Sequence, residues 1–372
     1  MTSTPPTPIR FAIVGSGWRT GFFLRLARDV PEAFQVTGIH SRSARRDEVS
    51  ARWGVPAFAS VDELVAHGDP EFVLVAVPVE VASGITADLV RRGVRVLEET
   101  PPALDVPAMR RMWDEVGGSG LVQVADQSLF MPAHSARWRA VRSGVIGTPT
   151  HVQVCSNHLY HAVSIMRGLL GDTGDATRVS ARDFRAPLLD PLNRHGWTGA
   201  AEPEERTTTL ATLDFGGGRS GLYDFVDNQW FSPVRHRRLT IRGSHGEIDG
   251  DSVVRVAGPR SVVESRITRR QTGIDHNLEG FHLDTIALDG DVLFQNPHPA
   301  ARQSDEDIAV DALVGATGAW ARGEGPAPYP LADGLQDHLL GLAIRESADS
   351  GADVTTAREP WADALTTESV FR

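Results

Sequence analysis

The stretch IRFAIVGSGWRTG, residues 9–21, is an apolar run that breaks into glycines and reopens as GFFLRLARDV, residues 21–30. A short continuous apolar run predicts a strand buried on both faces, and the stretch after it predicts a helix. Gly15 and Gly17 hold the first two places of a G-x-G-x-x-G loop; Thr20 holds the third, with Gly21 just behind it. The first glycine permits the tight turn. The second lets backbone approach a pyrophosphate, which then rests on the unpaired N–H groups of the helix start. A glycine loop alone is weak evidence. Placed between a strand and a helix that open a βαβ series, it points to a bound dinucleotide, with Trp18 and Arg19 inside the loop as further contacts.

The rhythm persists to about residue 125. FQVTGIHS, EFVLVAVP, VRVLEE and LVQVAD read as strands, while RRDEVSARWG, EVASGITADLVRRG and VPAMRRMWDEVGG read as helices. Strands of this kind separated by helices predict an α/β doubly wound parallel sheet over residues 1–125, a Rossmann dinucleotide-binding domain. Beyond it, AHSARWRAVRSG and a stretch from about Ala162 to Leu170 read as helices. TTTLATLDF, SGLYDFVD, RRLTIRGSHGEIDG and SVVRVAG alternate between Gly-containing turns, and LADGLQDHLLGLAIRESADSG closes as a long helix. Residues 126–372 are expected to form an α+β domain with a large, mainly antiparallel open sheet, used for substrate binding and oligomerisation.

At 372 residues the chain suits two domains, each long enough to bury a core. A formal net charge of -11 argues against a nucleic-acid surface. All 37 basic residues are arginine. The N-terminus lacks the pattern of a signal peptide, no run approaches a membrane span of roughly 18 residues, and a cytoplasmic protein is expected. Cys155, the single cysteine, lies in the strand-like HVQVCSNH and reads as a buried thiol.

The end of the second strand selects the nucleotide. An NAD site usually has an acidic residue there; this chain has GIHSRSARR, with Ser41 and Arg42 at the strand end and Arg45 and Arg46 one turn on. A hydroxyl beside guanidinium groups favours a 2′-phosphate, and so NADP over NAD.

Taken with the glycine loop, AVP at 76–78, VLEETPPA at 96–103 and YHAVSIMRGLLG at 160–171, the chain resembles the Gfo/Idh/MocA family of glucose–fructose oxidoreductase and inositol 2-dehydrogenase over nearly its full length. The resemblance implies an NAD(P)-dependent oxidoreductase acting on a CH–OH group of a sugar, glycoside or cyclitol, assembled as a homodimer or homotetramer through its open sheet. It sets Pro78, Glu99 and Gln127 along the cofactor. The family's E-K-P motif falls on Glu99, Thr100 and Pro101, so the lysine that meets the reacting oxygen is Thr100 here. The D-x-x-x-H motif falls on Asn157 and His161, leaving His161 as proton acceptor or donor. A later helix aspartate becomes Ser164, and a further family histidine becomes Ala82.

Histidine alone can serve, because the hydride step belongs to the cofactor and its pKa lies near neutrality. Tyr160 is a candidate second donor. His158 and His161, three apart, have no Cys or carboxylate nearby in sequence, and no metal site is expected. NRHGWTG and DNQWFSPVRHRR offer Asn193, Arg194, His195, Trp197, Asn228, Gln229, Trp230 and Arg235 as cleft candidates for a polyol. Two other readings remain: a cofactor-binding sensor without turnover, and a glycosidase that begins with a redox step and recycles its NAD.

Overall fold

The computed structural model describes residues 7–41, 43–171, 174–273 and 281–365; Arg42 lies outside them. The first half runs β1 (Ile9–Val14), α1 (Thr20–Asp29), β2 (Phe34–His40), α2 (Ser43–Trp53), β3 (Ala57–Phe58), α3 (Val61–Gly68), β4 (Phe72–Val75), α4 (Val79–Arg91), β5 (Val96–Glu98), α5 (Val106–Val116) and β6 (Val122–Val124). These strands form one parallel sheet in the order β3-β2-β1-β4-β5-β6. The order reverses between β1 and β4, which opens a crevice at the carboxyl ends of the strands. Gly15 sits at that point with φ +133°, and a Cβ on it would meet the Ala76 carbonyl oxygen at 2.1 Å. Any side chain here would force β1 and the residues after β4 apart.

The second half runs α6 (Pro132–Arg142), β7 (Pro149–Cys155), α7 (Leu159–Leu170), β8 (Arg178–Leu188), β9 (Leu192–Asn193), β10 (Gly196–Trp197), β11 (Glu204–Asp214), β12 (Ser220–Val226), β13 (Arg238–Gly243), β14 (Gly246–Asp249), β15 (Ser252–Gly258), β16 (Ser261–Gln271), β17 (Leu283–Leu288), β18 (Asp291–Gln295), α8 (Asp305–Arg322), α9 (Leu331–Ser350) and β19 (Val354–Thr355). Eleven strands join in the order β18-β17-β16-β15-β14-β13-β7-β12-β11-β8-β19, antiparallel except where β12 meets β7. Cys155 ends β7 and is buried, as expected. Val152, Val154, Ala211, Leu213 and Tyr223 are buried in the core shared with α7 and α9. Phe184, Leu210, Val254, Val256 and Val262 occupy the other face by their strand register and stay exposed.

α7 is pinned to α9 through a buried cation. Arg167 is 1% exposed and donates to Asp337 Oδ1 at 2.6 Å and to Asp333 Oδ1 at 3.1 Å. α7 also begins three residues earlier than expected, which puts His161 in its first turn. Leu159 takes φ +37° there, and its N–H donates to the Tyr223 hydroxyl.

α8 was not foreseen, yet it returns to the Rossmann sheet and packs on α1 and β1. Gly318 makes the close approach possible, since a Cβ there would lie 2.5 Å from Ile9 Cδ1. Arg25 meets Asp307 at 2.8 Å and Arg322 meets Glu71 at 2.8 Å on the same contact. Its start carried a readable signal, because Ser304 caps the helix by accepting from the Asp307 N–H ahead of three acidic residues. Its interior hides the period: Ile308, Ala309, Val310, Leu313, Val314 and Gly318 are buried on several sides.

Glu98 ends β5 with both carboxyl oxygens buried and without a hydrogen bond of ordinary geometry. Burial pushes its pKa up to about 8, with the nearby Thr86 hydroxyl opposing. The folded state therefore keeps this carboxyl neutral where the unfolded chain ionises it. Its stability is fully present below the ordinary carboxylate value and is lost as pH rises toward about 8. Glu98→Gln is expected to stabilise the fold by a margin that grows from pH 5 to pH 8, read by denaturant unfolding at each pH. A margin independent of pH would contradict this.

Candidate active site

The glycine loop leads into α1, whose first turn has no acidic residue and whose start has no side-chain cap. Nothing lies within 4 Å of a Cβ built on Gly17, so the loop backbone is open to a ligand. Thr20 is buried at the helix start, packed rather than exposed to the loop. Ser41 donates to Ser16 Oγ at 2.7 Å and so ties the end of β2 to the loop. Beside it a groove of about 470 Å³ runs between α1 and α2, lined by Gly17, Arg25, Arg28, Arg45 and Arg52. Pro78 starts α4 on the far side of the loop.

From the loop the crevice continues into a cleft of about 350 Å³ between the two halves. Trp18, Arg19, Glu99, Thr100, Gln127, Asn157, Tyr160 and His161 all line it. Residues more than a hundred positions apart in sequence thus meet on one surface. Arg19 reaches across its floor, with Nε 2.8 Å from Glu99 Oε1 and Nη1 3.1 Å from Glu306 Oε1. Gln127 donates to the same Glu306 oxygen at 2.8 Å. Burial opposes the Arg19 charge, but the two carboxylates outweigh it and raise its pKa above the ordinary arginine value. The guanidinium also lies 4.8 Å from the Phe22 ring centre. Gln127 Oε1 is buried without a partner, an acceptor aimed at nothing the chain supplies.

His161 Nδ1 lies 3.0 Å from Asp126 Oδ2 and 3.1 Å from Ser128 Oγ. Burial favours the neutral ring, yet the Asp126 charge outweighs it and raises the His161 pKa. Asp126 is driven the opposite way: burial would raise its pKa, but His161 and Ser128 lower it overall. Tyr160 is pushed up to about 12 by burial, with Thr100 opposing through a side-chain contact. Asn157 accepts from Ser156 Oγ at 2.5 Å and is buried in the cleft wall. His158 and Tyr160 stand edge to face, 5.2 Å between ring centres.

Several expected contacts lie elsewhere. Ser164 is turned into the packing, its hydroxyl on the His161 carbonyl, and Ala82 is buried within α4. Of the cleft candidates, Arg194 and Trp230 line the cavity and Phe231 joins them. Gln229 is instead spent on the backbone carbonyls of Cys155 and His236, and Arg235 on Asp190. Asn228 donates to the Leu192 carbonyl, Asn193 accepts from the His195 N–H, and Trp197 is 76% exposed on β10 outside the cavity lining. Asp126 and Glu306 were missed. Asp126 had no motif, and Glu306 belongs to the helix that sequence periodicity did not show. A carboxylate does stand beside His161 in space, but no cluster of three metal-ligating side chains forms among the described residues.

Residues 9–125 match the family model described as an oxidoreductase family with an NAD-binding Rossmann fold. That model, Gfo/Idh/MocA, spans the whole of the N-terminal parallel sheet. The chain is also 33% identical over 127 residues to scyllo-inositol 2-dehydrogenase (NADP(+)) of Bacillus subtilis (strain 168). That alignment covers 33% of this chain and 38% of the relative. Solved structures extend the likeness to the whole fold. An oxidoreductase from Agrobacterium radiobacter in complex with NAD+, L-tartaric acid and magnesium superposes with a TM-score of 0.67 at 18% identity, over 97% of this chain and all of that one. The WlbA dehydrogenase from Bordetella pertussis in complex with NADH and UDP-GlcNAcA does so with a TM-score of 0.61 at 17% identity, over 95% of this chain and 99% of that one. At such identities they show a shared fold and no more.

Arg19→Met leaves Glu99 and Glu306 facing each other without a cation. It is expected to destabilise the fold by roughly 2–4 kcal/mol in denaturant unfolding. Adding Glu306→Gln is expected to recover part of that loss, a coupling a double-mutant cycle reads directly. Purely additive losses would show that the two side chains do not interact.

Proposed function

We propose that this chain is an NAD(P)-dependent oxidoreductase acting on a CH–OH group of a sugar, glycoside or cyclitol. The observation that carries the reading is the position of His161 in the wall of a cleft continuous with the glycine loop. The chain fits a dinucleotide on its own evidence: open space over Gly17, an α1 start free of acidic residues, and an unpartnered Gln127 acceptor. Gly15, Gly17, Trp18, Arg19 and Thr20 would form the pyrophosphate turn, with Pro78, Glu99 and Gln127 along the nicotinamide half. The bound group supplies hydride chemistry.

The chain's own residues orient the carbon and move one proton. With Nδ1 held by Asp126, His161 has Nε2 left for a substrate hydroxyl, and it acts as base in oxidation and acid in reduction. Tyr160, held protonated by its raised pKa, serves as a donor, while Thr100 and Asn157 hydrogen-bond the substrate. His158, Trp230 and Phe231 offer rings for the C–H face of a polyol, and Arg194 adds a cation at the rim. The relatives named above support a polyhydroxylated substrate, since one oxidises an inositol and others are seen with tartaric acid or a UDP-sugar. NADP is favoured by Ser41 at the strand end and by Arg45 and Arg52 in the adjoining groove, and the inositol dehydrogenase relative uses NADP(+). The uncovered sheet face with Phe184, Leu210, Val254, Val256 and Val262 suits self-association into a homodimer or homotetramer.

One observation favours a second reading. Thr100 brings no cation to the reacting oxygen, and a cofactor-binding sensor needs none. A panel of inositols, sugars and their keto forms, assayed by nicotinamide absorbance with NAD+ or NADP+ and their reduced forms, separates the two. Turnover is expected, with His161→Ala lowering kcat by about 10²-fold or more. Tight cofactor binding without redox change on any member of the panel supports the sensor. Thr100→Lys is expected to alter the pH–rate profile with little change in cofactor affinity. If Thr100→Val leaves the rate untouched, Thr100 has no chemical part.

A further inference from the structure

In the motif that this chain resembles, the carboxylate beside the histidine comes from the same helix, four residues earlier. Here that place is Asn157, and the carboxylate in contact with His161 arrives from the segment just past β6. Asp126 lies two residues past β6 and is 2% exposed. Its Oδ1 accepts the Ser128 N–H at 2.8 Å, which fixes the carboxylate plane, and its Oδ2 faces His161 Nδ1 at 3.0 Å. The Ser128 hydroxyl stands 3.1 Å from the same Nδ1. Both oxygens are therefore committed, one to its own turn and one to the imidazole.

We propose that Asp126 is the positioning residue of this site, orienting His161 and stabilising its protonated form in place of the helix carboxylate lost at Asn157. The proposal rests on the reading of His161 as the proton-transfer group. An ionised carboxylate on Nδ1 requires the proton there, so the neutral ring presents its Nε2 lone pair to the cleft. When a substrate hydroxyl proton passes to Nε2, the resulting imidazolium is balanced by a fixed negative charge rather than by solvent. The pair links the segment after β6 to the first turn of α7, and the proton affinity of the histidine depends on how that segment is docked against it.

The surroundings leave Asp126 as the dominant neighbour. Glu99 faces His161 from the end of β5, but its charge is spent on Arg19, which opposes it at the ring. His158 on the same segment opposes a second cation, and Tyr160 stays neutral. Behind Asp126, His134 on α6 is held neutral by burial, while Asp337 and Tyr329 lie on the far side. The direction of the His161 shift agrees with this balance.

Nuclear magnetic resonance titration of 15N-labelled histidines tests the pair without any substrate. The His161 signals are assigned by their loss in His161→Gln. In the wild-type protein the His161 midpoint is expected above the ordinary histidine value, with the neutral ring protonated on Nδ1. In Asp126→Asn it is expected to fall by about one unit or more, as burial is left unopposed. Asn157→Ala is expected to leave it in place. A wild-type midpoint at or below the ordinary value overturns the proposal even if Asp126→Asn does not fold. So does an unmoved midpoint in Asp126→Asn, or an equal fall in Asn157→Ala. Once a substrate is in hand, Asp126→Asn is expected to lower kcat by about 10-fold or more and to move the oxidative pH limb downward, with KM little changed. If the midpoints behave as stated and no polyol turns over, the pairing stands and the oxidoreductase reading is what fails.

Discussion

One guanidinium holds the cleft in shape. Arg19 projects from the glycine loop onto Glu99 at the end of β5 and onto Glu306 at the start of α8. In a chain without lysine, this is the cation that keeps two carboxylates tolerable in a partly enclosed space. The constraint fixes more than charge. It docks a helix from the far end of the chain against the first strand–loop–helix unit and sets Gln127 against Glu306. The result is a rigid floor from which Thr100 and the glycine loop face the same volume.

The opposite wall is built by different means. His161 lies in the first turn of α7, and α7 is held to α9 by the buried Arg167 with Asp333 and Asp337. Leu159 accepts a left-handed backbone to start that turn, a conformation that costs of order 1–3 kcal/mol and is held by packing around it. Strain of this kind fits a position where the direction of a side chain matters more than local propensity. Asp126 joins the two walls, since it belongs to the floor by sequence and to the histidine by contact. The cleft therefore pairs an imidazole at the start of α7 with a carboxylate just past β6.

Much of the architecture was legible before any coordinates, because it rests on local periodicity. The apolar strands of residues 9–125 and the glycines at 15 and 17 together point to a parallel sheet with a dinucleotide turn. Alternation along Glu204–Asp214 and Ser220–Val226 likewise marks an antiparallel sheet. α8 escaped because a helix buried on several sides shows no polar stripe, although its Ser304 cap was visible. The cleft candidates in DNQWFSPVRHRR divided as burial required. Trp230 reached the cavity, while Gln229 is buried and donates to the backbone carbonyls of Cys155 and His236.

Short-range pattern thus carried the identity of the elements, the turn geometry at Gly15 and the presence of His161 at a helix start. Which charges face one another was not written there. Arg19 with Glu306 spans 287 positions and Asp126 with His161 spans 35, and neither spacing leaves a periodic trace. Electrostatic partners are chosen by distance in space and by the water excluded between them, and both quantities come into being only when the two halves close on each other.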